Sequence, residues 1–117
     1  MIGYEQKLAR VLERMGSVYT LDDILDELKA GRMQSFANGN SMLVTEIVSY
    51  PRGKALNFLA AVGDMDDWRT IHDAAVSFAE EHDISQIRAC GRRGWMPFIR
   101  DHGWRPLTTN YVYVKDL

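Results

Sequence analysis

Between Ala55 and Cys90 the chain runs through a near-continuous apolar stretch, ALNFLAAV, then a helix-patterned segment, then a short strand-like stretch, ISQIRAC. In the middle segment Trp68, Ile71, Ala74, Ala75, Phe78 and Ala79 recur at helical spacing, which predicts one long amphipathic helix from about Asp66 to His82. A helix of that length between two strands is a crossover, so the strand at 84–90 is predicted to run parallel to the one at 55–62. The unbroken apolar character of Leu56 to Val62 predicts a central strand covered on both faces.

The flanking sequence supplies the other elements. Leu8, Val11, Leu12 and Met15 share one helical face and Gly16 ends the pattern, predicting a helix over Tyr4 to Met15. A second helix follows in TLDDILDELKAG: Thr20 is suited to accept from first-turn amides, Asp22 and Asp23 sit at the positive helix end, and Gly31 fits a left-handed position after the last turn. Its stripe is Leu21, Ile24, Leu25 and Leu28. A short strand near Met33 to Phe36, the turn NGN at 38–40 and the β-branched run SMLVTEIVSY come next. YPRG then reverses the chain, making 41–50 and 55–62 antiparallel partners. After Gly91 a short helix ends at Gly103, with Pro97 tolerated in its first turn, and NYVYVKDL closes the chain as a strand. The expected fold class is α+β in three layers: a mixed, largely antiparallel sheet flanked by helices, in the order α-α-β-β-β-α-β-α-β.

Residues 1–117 suit one domain, since a chain of this length and 46% hydrophobic content buries about 65% of its unfolded surface. The net charge of −2 gives no general attraction to nucleic acid or anionic lipid. The opening MIGYEQKLARVLERMG mixes charged and apolar residues throughout, which excludes a signal peptide or a membrane span and points to the cytoplasm. Cys90 is the single cysteine, so no internal disulfide forms.

This order of elements resembles the GNAT-type N-acyltransferase fold, most closely in ISQIRACGRRGWMPFIRDHGWRPLTTNYVYVKDL, where Gly103 and Trp104 stand at the family's "G-F" corner. The family's first strand, before the paired helices, has no counterpart. The resemblance implies an acyl-CoA site, with the coenzyme's pyrophosphate held by bare amides of a glycine-containing loop after the central strand. Here that loop reads VGDMDDW, and Asp64, Asp66 and Asp67 put three carboxylates where two phosphate charges would arrive. The tyrosine that protonates the leaving thiolate in the family, four residues before the corner glycine, is replaced by Ile99, with Phe98 beside it. The chain also looks like a group of small tailed-bacteriophage proteins of degenerate GNAT-like fold, through TEIVSYPRGK at 45–54, Gly63-Asp64 and GRRGW at 91–95. That resemblance implies a non-catalytic protein working through contacts in the virion or its assembly, or by self-association, in the host cytoplasm or within the particle. No catalytic residue, cofactor or metal is implied. Under the alternative of a true N-acetyltransferase, acetyl-CoA is the cofactor and Glu46 a conceivable base.

In GRRGW, Gly91 and Gly94 free the backbone while Arg92 and Arg93 offer fork-shaped donors for carboxylate or phosphate; the same residues also fit a tight strand-to-helix connection with solvated arginines. Arg88, Arg92, Arg93, Arg100 and Arg105 form the one locally basic region, and Trp95 and Trp104 are aromatic surfaces that could stack bases but better suit helix-on-sheet packing. The partner-contact candidates are therefore Arg92, Arg93, Trp95 and Arg100, with Tyr111 and Tyr113 on one face of the last strand. The Asp64, Asp66 and Asp67 run is expected to cap the long helix rather than hold a cation. His72, His82 and His102 lack metal-ligand spacing and are read as surface residues, and Cys90 as a small buried strand-end residue.

Overall fold

The computed structural model describes residues 2–63, 68–90, 102–107 and 113–117. Two helices come first, α1 (Ile2–Arg14) and α2 (Leu21–Lys29), followed by strands β1 (Met33–Asn38), β2 (Ser41–Tyr50) and β3 (Gly53–Val62). Helix α3 (Trp68–Glu81) and strand β4 (Gln86–Ala89) complete the described elements.

The start of α2 is fixed by its sequence. Thr20 Oγ1 accepts from the Asp23 amide at 3.1 Å while Asp23 Oδ2 accepts from the Thr20 amide at 2.9 Å. This reciprocal cap satisfies two first-turn donors and is worth about 1 kcal/mol. At the other end Gly31 takes φ +78°, the left-handed conformation expected after the helix.

The sheet has the order β1-β2-β3-β4, antiparallel except for the parallel β3–β4 pair that the crossover requires. It is covered on both faces. Leu43, Leu56, Phe58 and Ile84 pack with Ile71, Ala75 and Ala79 of α3, whereas Met33, Val44 and Ala60 pack with Leu8 and Leu12 of α1 and Ile24 of α2. Adjacent strand residues feed opposite layers, as Ala60 and Ala61 do, which is why β3 reads as near-continuously apolar. Leu25 departs from the expected α2 stripe and is exposed, as is Ala74 on α3. Among the described residues no helix is long and apolar enough to cross a membrane.

The short expected strand near Met33 is present and runs two residues further, to Asn38. β4 is shorter than the strand expected over 84–90, and Cys90, expected to be buried, lies just past it and is exposed. The expected helix after Gly91 falls almost wholly outside the described residues. Of the expected last strand, residues 113–117 carry no strand pairing, and Tyr113 and Val114 are exposed on both sides of the alternation, at 89% and 72%. Without a neighbouring ladder, alternation alone cannot hold residues in a sheet.

Candidate functional site

One irregularity in the sheet organises the site. The β2–β3 register runs Leu43↔Ala61 and Val44↔Ala60, then steps to Thr45↔Phe58, so Leu59 has no partner on β2. This β-bulge puts Leu59 and Ala60 both toward the α1 and α2 layer and bends β3 at that point. The parallel pairing with β4 ends at the same level, at Phe58↔Ala89, while β3 continues to Val62. From Leu59 onward β3 therefore has no β4 partner among the described residues. Gly63, at φ +109°, closes β3 against the β1–β2 turn so tightly that a Cβ there would overlap the Asn40 carbonyl oxygen and the Ser41 Cα.

An aromatic block stands at Phe58, where the β4 ladder ends, on the α3 side of the sheet. Phe58 meets Trp68 and Trp104 with ring centroids 6.1 and 5.3 Å apart, and Trp104 Nε1 donates to His72 Nε2 at 2.9 Å. Far from being at the surface, His72 is only 4% exposed. It lies one helical turn from Trp68 and from Ala75, within the α3 apolar stripe. Because the Trp104 indole can only donate, His72 Nε2 must accept, which leaves the ring proton on Nδ1, 3.1 Å from Asp73 Oδ1. His102 stacks obliquely on His72, with centroids 4.6 Å apart. Folding thus gathers His72, Asp73 and His102, whose ligating atoms lie within 4.8 Å of one another, despite their unpromising spacing in sequence. A cation at His72 Nδ1 would have to displace that proton and set a Nε2–H against the indole N–H, so the arrangement acts as a hydrogen-bonded latch for Trp104. Of the other two histidines, His82 is exposed as expected and His102 is half-buried.

On the opposite face, a groove of about 510 Å³ is lined by Tyr19, Glu27, Arg32, Gln34 and Glu46 among others. Glu46 is paired with Asn57, one step before the bulge, and its Oε1 accepts from Asn57 Nδ2 at 3.1 Å. Glu27 takes a two-pronged bond from Arg32, at 2.7 and 3.0 Å, which lowers the Glu27 pKa chiefly through the hydrogen bond and raises that of Arg32 for the same reason. Tyr19 has its pKa raised, first by burial and then by the negative charges of Glu46 and Glu27. Its sign is definite: folding holds the phenol proton more tightly, so this contribution to stability is complete below about pH 10 and disappears as pH rises through the elevated value. In a carbon-13 NMR titration Tyr19 should ionise later than free tyrosine, and Glu46→Gln should move its midpoint back down. An unchanged midpoint in that variant would place Glu46 out of reach of the phenol.

Of the residues expected to contact partners, Tyr113 is exposed, whereas Arg92, Arg93, Trp95, Arg100 and Tyr111 lie outside the described residues, as do Asp64, Asp66, Asp67, Phe98 and Ile99. Trp104 packs partly buried against the α3 core, the role expected for the corner aromatic.

No model of a known protein family matches the chain, and neither does any curated protein. Solved structures do. A predicted acetyltransferase with acetyl-CoA from Clostridium acetobutylicum aligns over 98% of this chain and 92% of its own, with a TM-score of 0.68 at 10% identity. An acetyltransferase from Trypanosoma brucei gives 0.66 at 12% identity, over 95% of this chain and 94% of its own. A ribosomal-protein-alanine N-acetyltransferase from Brucella melitensis biovar Abortus 2308 gives 0.57 at 14% identity, over 97% and 93%. The fold is GNAT-like.

Proposed function

We propose that this chain is a GNAT-like protein that works through protein contacts, in a bacteriophage particle or its assembly, and does not transfer acetyl groups. One observation carries the reading. β3 ends at Val62 and α3 begins at Trp68, so Asp64, Asp66 and Asp67 fall in the connection where a protein of this fold offers amides to a coenzyme's pyrophosphate. Three carboxylates there repel the group they would need to hold, and the residues present do not fit acetyl-CoA. Ile99 and Phe98, in place of a proton-donating tyrosine, support the same conclusion. The phage setting rests on the TEIVSYPRGK and GRRGW likeness. Exposed Leu107, Tyr113, Val114 and Leu117 near the chain end supply apolar contact surface.

The test is thermal melting with 1 mM acetyl-CoA, where "no binding" predicts a shift of less than about 1 °C. A coenzyme bound with a Kd near 10 μM would add about 2.7 kcal/mol and raise the midpoint by on the order of ten degrees. Such a rise overturns the proposal.

A second reading, an acetyltransferase with a divergent loop, draws on the bulge and on Glu46 one step from it. In it Glu46, held by Asn57, takes the proton from an amine. It requires acetylated product from some amine and a loss of that product in Glu46→Gln.

A further inference from the structure

A second cleft lies at the other end of β3 from the bulge, where the β2–β3 turn meets the start of β4. Its volume is about 370 Å³, and Arg52, Lys54 and Arg88 all line it, with no carboxylate among the lining residues. None of the three pairs with an acid among the described residues.

The cluster is built rather than accidental. The Ser85 amide and the Ser85 hydroxyl both donate to the Lys54 carbonyl, each at 3.1 Å, stitching the turn onto the strand 31 residues further along the chain. Gly53, at φ +146°, allows this approach, since a Cβ there would come within 2.9 Å of the Ser85 hydroxyl oxygen. Arg88 is held over the Tyr50 ring, its guanidinium carbon 5.5 Å from the centroid. Cations from two separated segments thus line one cleft, and the one on Arg88 is already held in place, which lowers its ordering cost on binding.

We infer that this cleft is a docking site for a short, carboxylate-rich segment of a protein partner. Two guanidinium forks and an ammonium match the geometry and charge of clustered Asp and Glu side chains. A polynucleotide is the poorer occupant: the basic patch is confined to one cleft, the whole chain is anionic, and one face of Tyr50 is already covered by Arg88. The cleft stands apart from the β3–α3 connection, so a positive acetyl-CoA result would leave the inference intact.

Fluorescence anisotropy of a fluorescein-labelled octaglutamate peptide with the full chain at low salt tests it. Saturable binding is expected, weakened about tenfold or more by Arg52→Gln with Arg88→Gln, because each charge-assisted bond is worth on the order of a tenfold change in Kd. Lys54→Gln alone should weaken it about threefold, and Arg10→Gln with Arg14→Gln on the exposed side of α1 by less than about twofold. Absent peptide binding, equal losses in the cleft and α1 variants, or tighter binding of an octathymidylate would each overturn the assignment.

Discussion

Leu56→Ala is expected to lower the unfolding free energy by about 3 kcal/mol, the size typical of a leucine truncated in a core that cannot collapse around the gap. Leu56 has no exposed surface, sits on the central strand between Ile47 on β2 and Ile87 on β4, and packs in the layer beneath α3. Backbone ladders on both sides hold β3 in place, so neighbouring side chains can fill the cavity only in part. Urea unfolding should show the midpoint fall with little change in slope. Leu25→Ala is the matched control, because Leu25 is 41% exposed, and it should cost less than about 1 kcal/mol. If both variants lose the same amount, β3 is not the packed centre described above.

Gly63→Ala should cost about as much by a different route. A residue with a side chain at φ +109° is strained by about 1–3 kcal/mol, and the new methyl would run into backbone atoms of Asn40 and Ser41, which cannot rotate aside as a side chain could. Either β3 withdraws from the turn or the turn opens. Hydrogen exchange should then speed up at the β1–β2 turn before the α2 amides are affected. A variant that melts with the wild-type midpoint would show that β3 does not end against that turn.

Much of this architecture was legible in the sequence because it rests on periodicity. The α3 stripe and its flanking apolar stretches specified the crossover, and the parallel β3–β4 pair followed from it. The Thr20 and Asp23 cap was readable for the same local reason. The bulge was not: Phe58, Leu59 and Ala60 are all apolar, and no pattern of apolar residues reveals which one loses its partner. His72 carried a signal that spacing could have caught, since it lies four residues after Trp68 and three before Ala75. Its indole donor, however, comes from 32 residues away. The basic cleft was hidden likewise, because Arg52 and Lys54 reach Arg88 only after the crossover has folded back. Along the sequence Arg88 groups with the arginines that follow it, Arg92, Arg93, Arg100 and Arg105.

Strands β1, β2 and β3 follow one another in space as they do along the chain, joined by the two-residue turns Gly39–Asn40 and Pro51–Arg52. β4 can take its place only after the intervening helix has brought the chain back, and it is held there by four rungs, Ala55↔Gln86 to Phe58↔Ala89. Closing that loop sacrifices more chain freedom than either hairpin does, and recovers it only when α3 settles on the sheet. The meander is thus the part of the molecule able to assemble first, leaving the basic cleft, which needs β4, as the last feature to acquire its shape.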